Sequence, residues 1–191
     1  MGLRIKRQSD ERVVHACTHN VADIPNGVTV CSAELIPGVR LKEGTAIGKG
    51  TDGLYHVIKT VAVVEAVAAS GTAIKVAKGS HFKVGDKLMA AKGSTAVSIT
   101  AINTSELTYD TLTVSAALGA LAVGAVLEQA KAAEASGEFP VAPKALTGDS
   151  YDVEELDNHL VSAVTIGQFK ESVIPPMSAD ILGQLKGIVL I

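Results

Sequence analysis

Ile74-Lys75-Val76 leads to Val84-Gly85-Asp86-Lys87-Leu88, and Leu112-Thr113-Val114 leads to Val123-Gly124-Ala125-Val126-Leu127. The middle of the chain states one pattern twice. The copies are offset by 38 residues at the front and 39 at the back, so the second loop is one residue longer. Each copy reads as a β-branched strand, a loop, and a glycine turn that feeds another strand. A repeated strand–loop–strand unit predicts a small closed or nearly closed barrel, because closure removes the unpaired edges of a short sheet. An open sandwich is the alternative. The fold class is mainly β, with short helices in a connector and in the C-terminal tail.

Outward from the repeat, residues 54–128 contain no proline, which suits a sheet whose ladder needs every backbone donor. This β body has candidate strands at Tyr55–Val67, Ala73–Val76, Lys87–Ala91, Ala96–Ile102, Thr111–Val114 and Ala125–Glu128. Residues 1–53 form a turn-rich docking segment. Within it, Val28–Cys31 alternates like a strand behind Pro25-Asn26-Gly27, a tight reversal, and Gly44, Gly48, Gly50 and Gly53 make a loose passage. Residues 129–150 read as a connector, with an Ala-rich helix over Gln129–Ser136 ending at Gly137. Residues 151–191 form a tail. It holds a strand at Leu160–Phe169 and a helix at Ser178–Leu185 with Ser178 as N-cap. The apolar run Gly187–Ile191 is expected to be buried as a strand in this subunit or a neighbour.

Composition excludes several classes. Hydrophobic residues make up 47% of the 191, but aromatics only 3%, which leaves few rings for base stacking. The 17 basic and 20 acidic residues balance to −3, against a nucleic-acid binder driven by phosphate neutralisation. The one basic cluster, Arg4, Lys6, Arg7 and Arg12, is diluted by Asp10 and Glu11. Val57–Ala69 is too short and too charged to span a membrane. No apolar leader is visible, so synthesis in a cytosol is expected.

His15, Cys17 and His19 share one face if residues 15–19 form a strand. Cys31, across a hairpin turning at Pro25–Gly27, would complete a four-ligand metal set, or Cys17 would pair with Cys31 as a disulfide. Two reduced cysteines and two surface histidines are the plainer expectation. The acidic residues Asp149, Asp152, Glu154, Glu155 and Asp157 lack the spacing of a calcium loop. Gly44 to Gly50 lacks the spacing of a phosphate loop. His56, His81 and His159 stand alone. No catalytic, cofactor or metal residue is assigned, and no cofactor is expected.

Two runs carry a resemblance: Lys49-Gly50-Thr51-Asp52-Gly53-Leu54-Tyr55-His56-Val57-Ile58-Lys59-Thr60, and Val76-Ala77-Lys78-Gly79-Ser80-His81-Phe82-Lys83-Val84-Gly85-Asp86. With Leu112–Val114, Leu118-Gly119, Val123-Gly124 and the tail Ile174-Pro175-Pro176, they are similar to head-fibre and capsid decoration proteins of tailed bacteriophages, especially those infecting gut Bacteroidetes. The resemblance covers residues 45–191. It implies a non-enzymatic virion protein, made in the bacterial cytoplasm and carried on the outer head surface. Its partners would be the major capsid protein, further copies of itself, most simply as a homotrimer, and host-surface glycans; no nucleic acid or membrane is implied. Two other functions stay open. One is a carbohydrate- or cell-surface-binding β module using Phe82 and Tyr109. The other is a small barrel enzyme subunit using His15, Cys17 and His19. The repeat's copies differ in charge: Lys78, Lys83, Asp86 and Lys87 face water in the first, while Ala116, Ala122, Ala125 and Val126 of the second are expected to face a neighbour.

Overall fold

The structure, a computed structural model, describes residues 14–155 and 157–191. The basic cluster at Arg4, Lys6, Arg7 and Arg12 lies outside the described residues. In chain order the strands begin with β1 Cys17–Asp23, β2 Val28–Val30, β3 Arg40–Leu41, β4 Ala46–Lys49 and β5 Tyr55–Val57. The middle of the chain supplies β6 Thr60–Ala62, β7 Ala73–Ala77, β8 Lys87–Met89, β9 Ala96–Asn103, β10 Tyr109–Val114 and β11 Val126–Ala130. Then come β12 Ala145–Thr147, β13 Tyr151–Asp152, β14 His159–Val161, β15 Ala163–Phe169, the helix α1 Ala179–Gln184 and β16 Ile188–Leu190. The fold is mainly β, as expected.

Residues 60–130 make a curled six-stranded sheet in the order β6-β11-β8-β9-β10-β7. Its two edges meet again where Val63 bridges Val76, with Val64 N–H donating to the Lys75 carbonyl at 2.9 Å. This central barrel has an internal twofold that the repeat only partly announced. Gly85 N–H donates to Ile99 O and Ile99 N–H to Asp86 O; correspondingly, Gly124 N–H donates to Val63 O and Val63 N–H to Ala125 O. Val76 faces Val63 as Val114 faces Ile99. The twelve buried residues of this core fall into six equivalent pairs: Val61 with Val97, Val63 with Ile99, Ile74 with Leu112, Val76 with Val114, Phe82 with Leu121, and Leu88 with Leu127. Symmetric packing of this kind lets one set of small branched side chains fill both halves.

The two ends of the chain build the other sheet, in the order β1-β15-β12-β4-β5-β2-β14, with β16 added in parallel beside β15. Only Ser162 separates β14 from β15, so the path returns to itself through one bent strand. Val28, Val30, Leu35, Ile47, Val57 and Val161 are among the residues that fill this flanking barrel. β3 and β13 pair as a small ribbon beside it. A third core, including Ile58, Met89, Phe139, Phe169, Ile181 and Leu185, lies among the central barrel, the flanking barrel and α1.

Several expected elements differ. The stretch read as one strand, Tyr55–Val67, is divided because the chain changes sheets inside it. Ile58 N–H bonds Ala46 O in the flanking barrel, while the next residue, Lys59, exchanges bonds with Gln129 in the central one. Ala46–Lys49, read as loose chain, is a central strand. Gly48 allows it, since a Cβ there would stand 2.2 Å from the Ala142 carbonyl oxygen. The connector helix at Gln129–Ser136 does not form. Gln129 and Ala130 belong to β11, and the following backbone is committed to the β8–β9 turn, through Ala96 N–H to Glu134 O and Gly137 N–H to Ser94 O. Helix α1 has Ser178 as N-cap, its Oγ accepting from Ile181 N–H at 3.2 Å. The last apolar run is a strand within this subunit.

Gly85 and Gly124 occupy equivalent turns at φ +96° and +83°, each with open space where a Cβ would project. Alanine at either position therefore meets only the left-handed backbone penalty. Urea unfolding of Gly85→Ala and Gly124→Ala should show matching losses of about 1–2 kcal/mol. Losses that differ several-fold between the two would contradict their equivalence.

Candidate functional site

The residues proposed for metal are not brought together. Cys17 opens β1 and Cys31 follows β2, and those strands are separated in the sheet by β15, β12, β4 and β5. The reversal at Pro25–Gly27 does form, with Asn26 and Gly27 at φ 67° and 71°. It does not fold β1 back onto β2: Ile24 N–H donates to Ala163 O and Val28 lies opposite Val161, so the chain passes from β15 to β14 along one bent partner. Register shifts along β1 also break the period of two that aligned His15, Cys17 and His19. His19 is exposed, and His15 Nδ1 lies 3.5 Å from Glu43. Both cysteines are free thiols. Burial, with Glu43 nearby, raises the Cys17 thiol, partly offset by a backbone bond at His19. Among the described residues no group of three His, Cys, Asp or Glu is placed to hold a metal ion.

The aromatic pair fares differently at its two members. Phe82 is 2% exposed and belongs to the central core, so it offers no platform to a sugar. Tyr109 is half-buried, with the Lys75 ammonium 5.1 Å over its ring.

The polar residues that matter converge on the junction between the barrels, where sequence spacing could not place them. Lys59 is buried, and its Nζ donates to Asp86 Oδ2 and to Glu34 O, both at 2.8 Å. Lys83 Nζ reaches Ala33 O at 3.1 Å, and Ile36 N–H donates to His81 Nδ1 at 3.3 Å. Three side chains at this junction thus grip the loop between β2 and β3. The first copy's charges at Lys83 and Asp86 serve this grip instead of simply facing water. Lys87 and its counterpart Val126 are both half-buried in the single chain.

On the other side of the junction Ser178 Oγ donates to Glu128 Oε1, and Lys92 N–H donates to Asp180 Oδ2 at 3.0 Å. These bonds pin α1 to the central barrel, while β16 pins the end of the same segment to β15. Glu128 is fully buried, and among the described residues its Oε2 has no hydrogen-bond partner. A further polar cluster sits in the flanking barrel. Tyr151 and His159 stack at 4.2 Å, and Tyr151 Oη, His159 Nε2 and Ser32 Oγ are buried and make no hydrogen bond of ordinary geometry among the described residues. Burial pushes the Tyr151 hydroxyl up to about 12.

A cavity of about 90 Å³ opens at the same junction. Arg40, Lys42, Lys59, Lys78 and His81 contribute its polar wall, and Val57, Ile58, Val61, Pro175 and Pro176 are among its apolar lining.

On the outside, β1 and β16 among the described residues each pair only with β15. Val21, Ile166 and Val189 of these three strands are 62%, 46% and 51% exposed, and Gln168 pairs with both His19 and Val189. The result is an outward face with apolar residues on three adjoining strands.

Two buried groups at the junction titrate in opposite senses. Burial lowers His81 to about 4, opposed by the Arg40 backbone and aided by Lys59 and Lys83. Burial pushes Glu128 up to about 7, eased by the Ser178 hydroxyl and reinforced by Asp180. For His81 the unfolded chain takes the proton first, so stability is lost as pH falls from about 6.5 to about 4. For Glu128 the unfolded chain releases the proton first, so stability is lost as pH rises from about 4.5 to about 7. The two slopes cancel over much of that window. Relative to the unaltered chain, Glu128→Gln should gain on the order of 2 kcal/mol between pH 4.5 and 6.5, and His81→Asn should lose a similar amount. Urea unfolding at the two pH values measures both; parallel profiles for all three proteins would refute the opposed titrations.

Comparison with protein-family models, with curated proteins and with solved structures finds no match to this chain.

Proposed function

We propose that the chain is a non-enzymatic structural protein of a phage virion, a head-fibre or capsid decoration protein. It binds the outer capsid surface through its major capsid protein partner and associates with further copies of itself, most simply as a trimer. The observation that carries this reading is the outward face of β1, β15 and β16. Two sheet edges and three exposed apolar side chains lie together there. Unpaired edges of this kind are templates for docking another chain, and apolar side chains gathered on one face mark interaction surfaces. The resemblance of residues 45–191 to head-fibre and decoration proteins supports the same conclusion. So does the use of the junction's charged groups as ties between barrels, a plan suited to a stiff body displayed on a particle.

Light scattering and co-sedimentation with shells of the major capsid protein from the same phage test the proposal. The chain should measure as a trimer and sediment with the shells. The double variant Val21→Lys/Val189→Lys should keep its thermal midpoint but bind shells roughly tenfold more weakly, as expected for about 1.4 kcal/mol lost from an apolar contact. A monomer that never sediments with shells would refute the reading.

A further inference from the structure

The cavity between the barrels has a chemical character separate from the outward face. Among the described residues no carboxylate stands in its wall. Two of its cations are already matched from behind. Lys59 bonds Asp86, and Lys78 bonds Asp110 at 2.7 Å and Thr104 O at 2.9 Å. The other two are not. Arg40 has only Asp152, at 3.9 Å with both side chains largely exposed, and Lys42 pairs with no carboxylate among the described residues. His81 adds to the wall a buried ring whose Nδ1 is taken up by Ile36 N–H. Its proton is left on Nε2, which among the described residues has the Arg40 backbone nearby but makes no hydrogen bond of ordinary geometry. An oxygen anion is the group this wall lacks.

The rest of the lining is apolar. Val57, Ile58 and Val61 come from the chain where it crosses between barrels, and Pro175 and Pro176 close one side. Those prolines belong to the segment fastened two residues later by Ser178 to Glu128. Proline's fixed φ keeps such a wall from collapsing inward. At about 90 Å³ the space equals the liquid volume of roughly three waters, room for one small molecule. A bare inorganic anion would leave its apolar side unfilled.

We propose that this cavity binds a small carboxylate carrying a short apolar chain, with the carboxylate toward Arg40 and Lys42 and the chain against Val61 and Pro175–Pro176. The proposal is independent of the virion reading. The test is titration of the whole protein with butyrate, butylamine and inorganic phosphate, followed through the backbone amide resonances of Gly79, Ser80, His81, Val61 and Ala62. Butyrate should shift these signals saturably. Butylamine, of the same shape and opposite charge, should not, and phosphate should bind more weakly than butyrate. The variant Arg40→Gln/Lys42→Gln, altered at exposed positions that leave the cores intact, should weaken butyrate roughly tenfold without changing the thermal midpoint. No saturable shift with butyrate overturns the proposal. So does equal binding of butylamine, or phosphate binding as tight as butyrate.

Discussion

A buried ammonium holds the two halves of this molecule in register. Lys59 is the residue at which the chain leaves one sheet and joins another, and its side chain is 1% exposed. A charge so placed needs partners, because removing one from a buried pair costs about 3–5 kcal/mol. Its partners come from both sides, Asp86 from the central barrel and the Glu34 carbonyl from the flanking one. The crossover and one of the three ties to the β2–β3 loop meet at that group, with the cavity beside it. The same need explains where the internal twofold breaks. Asp86 corresponds to Ala125, and Lys59 to Thr95. Only one member of the second pair is charged, so only the Asp86 turn has an ammonium to meet.

Much of the central barrel is legible in the sequence, because its core is a series of Val, Ile and Leu at repeated offsets. Two offsets, 38 and 39, stand out. The third, 36, relates Val61 to Val97 and Val63 to Ile99. It is hidden by a seamless run of Val and Ala across the crossover. Nothing local distinguishes Ile58 from Lys59 as ends of different sheets; their backbone partners, Ala46 and Gln129, are distant in sequence. Gly48 misleads for a related reason. A glycine suggests a turn, but here it admits the Ala142 carbonyl to the middle of a sheet. Helix propensity at Gln129–Ser136 loses to hydrogen bonds already owed to the β8–β9 turn. At the candidate site the ring and thiol residues of 15–31 are conspicuous by spacing alone. The groups that meet, Lys59, His81, Glu128 and Ser178, are ordinary in their local settings and gain meaning only through burial.

The junction also shows how a mildly acidic, aromatic-poor chain keeps polar groups inside. Lys59 is paired with the Asp86 carboxylate, whereas His81 and Glu128 are held toward neutrality by burial on opposite sides of the same seam.

The flanking barrel joins chain segments far apart in synthesis. Cys17 lies opposite Phe169, and Val30 opposite His159. Every ladder of the central barrel, by contrast, is contained within residues 60–130. During translation at about 5–20 residues per second, β1 to β5 therefore wait on the order of ten seconds for β12 to β15, while the central barrel can already close. Throughout that interval the early strands hold open edges beside other nascent chains on the same message. The architecture thus makes strand exchange between neighbouring copies a kinetic option for the flanking barrel and closes it for the central one.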